Sequence, residues 1–416
     1  MKKIISKFYN YLANDSLYRN SIFLMLSTGV MAVFGFFFWI INARLYSADQ
    51  VGIGATLISV MTLISSFSIL GLGNGLIRYL PTSKRKNKKI NTSFTLVALM
   101  SILISVIYLL FLKNFSPILL FVRENIIFSL LFILFVVISS LSIISENIFI
   151  AYRSSQFMLI KNTIFSIVKL IFPLLLLSLG AYGIFMSVGI ASIVAFLFVL
   201  AILTLRFNYL LKPIIDVSVI KKMVKFSLGN YAAELMGGLP NLALPILITN
   251  LIGAKFSAYY YMAVMIAGLL YVIPMATSQS LFAEGSYNEK ELRLHVKKAT
   301  TIIALILIPA IIIIVFLGKY ILLAFGKDYS SEGFRLLQVF AMSGVFIAAK
   351  NVCGIVLKVK NKIKEIVFVD MITALSILGL SYFLMPIYFL KGIEIAWVVG
   401  HALSAGIFLI VTKKSF

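Results

Sequence analysis

Acidic residues, cysteine and histidine are all scarce in this chain, and each scarcity removes a class of function. The 416 residues include 14 Asp and Glu, one Cys and two His. With Cys353 alone, no disulfide can close within the chain and no cysteine metal cluster can form. His295 and His401 lie far apart and lack the spacing of a metal site, so no metal or cofactor is expected. Charged residues make up 12% of the chain, against roughly 25% in ordinary soluble domains. That deficit rules out a globular enzyme core. A phosphate loop is also missing. Gly71-Leu72-Gly73-Asn74-Gly75 has no preceding strand, no GxGxxG spacing and no Walker lysine. The expectation is that the chain is not an enzyme. With no ATPase domain, any pumping would draw on an ion or substrate gradient.

What the chain has instead is length in apolar runs. Hydrophobic residues account for 61% of it. A membrane-crossing helix needs about 20 mostly apolar residues, and about 12 stretches meet that length, Ile126 to Ser145 among them without one charge. Spans are expected near 20–43, 51–75, 93–112, 126–150, 162–180, 183–205, 226–251, 259–283, 299–323, 335–357, 366–386 and 393–412. The start, Met1-Lys2-Lys3, resembles a signal-peptide n-region, but the run after Asn20 is too long for an h-region and reads as a retained first helix.

The net charge of +23 suggests nucleic acid until the charges are located. With the N-terminus inside, about 27 of the 37 Lys and Arg fall on the cytoplasmic side and about 8 outside. Both termini are therefore expected in the cytoplasm, and no nucleic acid is expected as a partner. The cluster Lys84-Arg85-Lys86-Asn87-Lys88-Lys89 reads first as a topology determinant and second as a site for anionic lipid headgroups.

A weak internal repeat is visible. Asn20 and Asn230 are 210 apart, as are Ser47-Ala48 and Ser257-Ala258. Asn147 and Asn351 are 204 apart, and Gly183-Ile184 returns 209 later as Gly392-Ile393. Duplication of a six-helix unit gives two halves of the same orientation, with a site expected at their interface. The expected fold is an all-α integral membrane protein of two parallel six-helix bundles around a central cavity. The expected divisions are an N-terminal lobe at 1–205, a cytoplasmic linker at 206–225 and a C-terminal lobe at 226–416.

Ionisable groups at membrane depth are costly and usually face a cavity or a partner. Here they are Glu146, Lys169, Glu234, Lys350, Asp370 and His401, while Arg44 and Arg78 stand near span ends and can snorkel. Glu234 shares a helix face with Gly237, Gly238, Asn241 and Pro245. It is either a coupling-ion carrier or a structural acid at a tight helix contact. A second stripe runs through Gly52, Thr56, Ser59, Thr62 and Ser66, and a third through Ser139, Ser142, Ser145 and Glu146. These hydroxyls either line a wet path or bond neighbouring helices. Glu146 and Lys350 stand at the repeat offset, with opposite charge. They either pair across the two halves or mark the ends of two half-helices. Coupling-ion candidates are Glu146, Glu234 and Asp370. Substrate or cavity candidates are Arg44, Arg78, Lys169, Lys350, Asn241, Ser59 and Thr62.

Two stretches carry a resemblance. Asn42-Ala43-Arg44-Leu45-Tyr46-Ser47-Ala48-Asp49-Gln50-Val51-Gly52 resembles the first outer loop of the polysaccharide transport proteins. Gly71-Leu72-Gly73-Asn74-Gly75-Leu76-Ile77-Arg78-Tyr79 resembles the end of their second helix. These are the O-antigen-type flippases of the superfamily that also holds multidrug extruders and lipid II flippases. The resemblance implies a V-shaped pair of bundles in the bacterial inner membrane. It also implies that undecaprenyl-pyrophosphate-linked oligosaccharide moves from the inner to the outer leaflet. Further partners implied are membrane lipids, H⁺ or Na⁺ as coupling ion, and a polysaccharide polymerase or other assembly proteins. A cation-coupled multidrug antiporter of the same architecture is the second reading. A membrane-embedded glycosyltransferase is the third, and it is disfavoured because every expected outer loop is short.

Overall fold

The computed structural model of the chain describes residues 16–414. The signal-like start at Met1-Lys2-Lys3 lies outside the described residues. Among those residues there is no strand, and 12 helices are long and apolar enough to cross a membrane. In order they are α1 (Ser16–Leu45), α2 (Ala48–Ser68), α3 (Lys86–Leu110), α4 (Ile126–Ala151), α5 (Ser155–Leu175) and α6 (Gly180–Phe207). There follow α7 (Val217–Leu251), α8 (Ala254–Tyr287), α9 (Leu292–Leu323), α10 (Phe334–Val359), α11 (Ile363–Tyr388) and α12 (Leu390–Lys413). Two compact units result. One holds the described residues up to Leu45 together with Val60–Tyr231, the other Tyr46–Ser59 together with Ala232 onward. The division passes through α2 and α7.

Several helices begin earlier than apolar content alone indicates. α3 starts at Lys86 rather than 93, α5 at Ser155 rather than 162, and α9 at Leu292 rather than 299. α7 starts at Val217 rather than 226, so the non-helical part of the expected linker shrinks to residues 208–216. The reason is physical. Hydropathy marks the segment that hydrocarbon can hold, whereas a helix continues into polar residues for as long as its backbone hydrogen bonds close. The second span errs the other way. α2 ends at Ser68 instead of 75, because Leu70 (φ 52°) and Gly71 (φ 73°) turn left-handed before a short helix, Leu72–Tyr79, resumes. At α4 the start is where the sequence places it, since the Asn125 side chain accepts from the amides of Ile127 and Phe128.

Within the first unit, α1 and α5 are joined by contacts at one constant offset. Asn20 Oδ1 accepts from the Ser155 amide at 2.9 Å, Asn162 Nδ2 donates to Ser27 Oγ at 2.8 Å, and Ser166 Oγ donates to Met31 Sδ at 3.4 Å. The separation is 135 residues each time, so the two helices run side by side in register. The glycines after α2 permit close approach: a Cβ at Gly73 would stand 2.6 Å from Asn147 Nδ2, and one at Gly75 2.7 Å from Met223 Cβ. Residues 208–216 lie along α3. Asn91 donates to the Leu210 carbonyl at 2.8 Å and accepts from Tyr209 Oη at 2.6 Å and the Lys212 amide at 3.1 Å. Lys88 and Asp216 pair at 2.5 Å at the end of this strap.

The repeat has a structural counterpart in the turns before α6 and α12. Gly180 (φ 54°, ψ −134°) and Phe389 (φ 52°, ψ −130°) stand 209 residues apart in the same backbone conformation. Gly183 and Gly392, at the same offset, each press on the end of the preceding helix. A Cβ at Gly183 would collide with the Leu176 carbonyl, and one at Gly392 would stand 2.7 Å from the Leu384 carbonyl oxygen. The Ser47-Ala48 and Ser257-Ala258 match does not survive. Ser47 caps α2, with Gln50 donating its amide to Ser47 Oγ at 3.3 Å, whereas Ser257 lies inside α8, whose cap is Gly253.

The outward faces are apolar. On α9, Leu305 (70% exposed), Phe316 (73%) and Tyr320 (70%) find no cover within the chain, as expected of side chains that meet hydrocarbon.

Candidate functional site

Two polar foci lie inside the helices, one in each unit. In the first unit, α4 and α5 meet at Glu146 and Lys161. Lys161 is 4% exposed, and its ammonium contacts Glu146 Oε1 at 2.5 Å and Ser142 Oγ at 3.3 Å. In the second unit, α10 and α11 meet at Lys350 and Asp370, paired at 2.7 Å. Asp370 is 6% exposed. These two pairs correct the possibility that Glu146 and Lys350 pair with each other. Each finds a partner on the next helix of its own unit, because a hairpin neighbour is already within reach and shielded from water. The pairs occupy equivalent helices with their signs exchanged, acid then base in one unit and base then acid in the other. Lys161 was missed by sequence reasoning because the apolar window opened at 162 and left it in a loop.

The remaining candidates are distributed as follows. Lys169 is buried (7% exposed) on α5, its ammonium 5.0 Å from the Phe165 ring centre and 5.5 Å from that of Phe38 on α1. Among the described residues no carboxylate pairs with it. Aromatic faces stabilise such a cation without neutralising it. Arg44, in the last turn of α1, and Arg78, in the last turn of the helix after α2, are both exposed and lie at opposite ends of α2 in the chain. That helix has 21 residues, about 30 Å of rise.

On α7, Glu234, Gly237 and Asn241 are exposed along one face, and a Cβ at Gly237 would stand 3.6 Å from Asp370 Oδ2. Glu234 therefore stands one helical turn from the residue that abuts Asp370. It also stands near the middle of a 35-residue helix rather than near its start. His401 packs edge-on against Trp397 at 4.7 Å. The buried Glu394 pairs with the exposed Arg335 at 2.9 Å and ties α12 to α10.

The hydroxyls of α2 act as fasteners at its first turns. Thr56 Oγ1 donates to the Gly52 carbonyl at 2.8 Å and lies 2.6 Å from Thr249 Oγ1 and 3.4 Å from Ser257 Oγ. Ser59 is buried at 4% exposure, and Thr62 one turn on is half-buried. On α4, Ser142 is the hydroxyl that meets the ion pair, and Ser145 donates to the Ser142 carbonyl at 2.6 Å. The second unit also contains an apolar groove of about 540 Å³ between α9, α10 and α12, lined by residues such as Ile303, Leu307, Val345, Val352 and Cys353. Its lining suits a hydrocarbon chain and not a sugar.

The profile of the family described as "polysaccharide biosynthesis protein" matches residues 41–333, more than half of the chain. The chain belongs to that family. Among solved structures it is similar to the lipid II flippase MurJ in an inward closed conformation, with 14% identity, a TM-score of 0.76, and 94% of this chain and 87% of that one covered. It is also similar to a multidrug resistance MATE transporter of the MOP superfamily in an inward-facing conformation, with 13% identity, a TM-score of 0.74, and coverage of 94% and 97%. A third likeness is to a MOP superfamily transporter from Pyrococcus furiosus, with 13% identity, a TM-score of 0.64, and coverage of 96% and 95%. Identities this low establish the fold, which is the 6 + 6 helical architecture of these transporters. A search of curated proteins finds no match.

Proposed function

We propose that this protein is a flippase for a lipid-linked surface-polysaccharide unit, an oligosaccharide on undecaprenyl pyrophosphate. It would move the unit from the cytoplasmic to the outer leaflet of the bacterial inner membrane by alternating access. Family membership supports the substrate class. The observation that carries the residue-level reading is Lys169, a buried ammonium flanked by two aromatic rings and paired with no carboxylate among the described residues. Such a cation retains the capacity to attract a pyrophosphate. A cavity built for cationic drugs needs acids with charge to spare, and the half-buried Glu146 and the buried Asp370 are each matched by a lysine. That disfavours the multidrug antiporter.

In this mechanism the sugar and phosphates cross about 30 Å of hydrocarbon inside a hydrated groove while the prenyl tail remains in lipid. The two halves rock to open alternate sides. No covalent bond is made or broken. Glu234, one turn from the glycine that abuts Asp370, carries the coupling proton or sodium ion. Polymerase or other assembly proteins receive the product.

The test is transport by purified protein in liposomes. Lys169→Gln should lower flipping at least tenfold with unchanged membrane abundance, while Lys169→Arg keeps part of it. Glu234→Gln should weaken the dependence of flipping on pH or sodium. Full activity of Lys169→Gln would remove that residue from the substrate path. Export of cationic dyes without flipping would favour the antiporter.

A further inference from the structure

The transport reading makes no use of the basic cluster that follows Ser83. In the structure it surrounds a cavity of about 330 Å³, lined by Lys84, Arg85, Lys86 and Lys88, with Asn87, Phe207 and Asn208 completing the wall. The cavity belongs wholly to the first unit. Its walls are held in place. The Lys86 ammonium stands 5.4 Å from the centre of the Tyr152 ring, which stacks on Phe207 at 4.3 Å. Asn87 Nδ2 donates to the Asn208 carbonyl at 3.1 Å. Lys89, just outside, is taken up by the Tyr79 carbonyl at 2.5 Å.

Charge is unbalanced here. Asp216 is the carboxylate that pairs with a lining residue, and it is committed to Lys88 and to the Ser218 hydroxyl at 2.5 Å. Lys84, Arg85 and Lys86 are exposed, and no ion pair engages any of them among the described residues. A small polar hollow edged by three such cations is a concave positive site. Arg supplies a planar fork for oxygen pairs, and lysines supply point charges around it. The first turn of α3, which borders the hollow, has no side-chain cap and adds unpaired amides of the same sign. Tyr79, Tyr152 and Phe226 ring the cluster, the aromatic company expected where a helix leaves hydrocarbon for headgroups.

We infer that this cavity binds a phosphate group, presented either by an anionic lipid headgroup or by a soluble phosphate anion. Binding here is independent of the transport reading, because no step of flipping is needed to observe it.

Native mass spectrometry of the full-length protein, with phosphatidylglycerol or phosphatidylcholine added, tests the inference. Phosphatidylglycerol should be retained in preference, since choline opposes the cluster. The double variant K84A/R85A should bind it about 25-fold more weakly, each lost cation near the surface being worth about fivefold. K297A/K298A, which removes the same charge from the exposed start of α9, should bind as the unaltered protein does. Displacement of the lipid by inorganic phosphate, with chloride at equal ionic strength inert, assigns the site to soluble phosphate. Retention against both assigns it to a headgroup, and either result upholds the cavity as a phosphate site. Equal losses in the two double variants, displacement by chloride, or no binding of either phosphatidylglycerol or inorganic phosphate would overturn it.

Discussion

Glu146 with Lys161 and Lys350 with Asp370 tie equivalent helix pairs in the two units, with their charges exchanged. Such pairs contribute little net stability when intact but cost more to break the more deeply the surviving charge is buried. Lys161→Met leaves the half-buried Glu146 unpaired and should therefore destabilise the protein, by less than the roughly 3 kcal/mol of a fully buried pair. The double exchange Glu146→Lys with Lys161→Glu, which copies the order of the second unit, should recover most of that loss. Thermal unfolding in detergent reads both variants, and a double exchange as unstable as the single change would show that position and not pairing is what matters. At this scale the sequence was half legible. Glu146, Lys350 and Asp370 stand out as charges in apolar runs, but their partners do not follow from separation along the chain, because hairpin geometry decides which one is near.

The helices themselves were the most legible feature, since 20-residue apolar runs leave few alternatives. Their ends were not, because backbone hydrogen bonding carries α3, α5, α7 and α9 into polar sequence. The strap at 208–216 was legible only as a polar linker. Its docking on α3 is centred on Asn91, an ordinary polar residue whose three hydrogen bonds depend on residues over 100 positions away. Asn91→Ala removes those bonds, at about 1 kcal/mol each, and should raise amide exchange across 208–216 by roughly a hundredfold in hydrogen-exchange measurements.

The strap also has a pH signature. Lys88 first, then the Ser218 hydroxyl and the Val219 amide, hold the Asp216 carboxyl well below the usual carboxylate range. A folded-state value that is lowered means the contribution is fully present above the unfolded value of about 4. It is lost as pH falls toward the folded value. Protection of the strap should be constant from neutral pH down to about pH 5 and decline in stronger acid. Asp216→Asn should abolish that acid dependence.

For the whole molecule, the family match over 41–333 and the 6 + 6 fold agree with the repeat read from the sequence. The best evidence of duplication was hidden from the sequence, because Gly180 and Phe389 share a backbone conformation but not a side chain. If the positive charges mark the cytoplasmic side, reporter fusions after Lys89 and Lys225 should read cytoplasm and fusions near Asn114 and Lys327 the outside. A swapped reading at Lys225 would break the two-half topology. We propose that the protein carries a lipid-linked oligosaccharide between leaflets. Leaflet-specific labelling of that glycolipid in cells lacking the protein tests it most directly. The glycolipid should accumulate on the cytoplasmic leaflet and return to the outer leaflet when the gene is restored. Normal outward exposure in its absence, with no second flippase present, would contradict it.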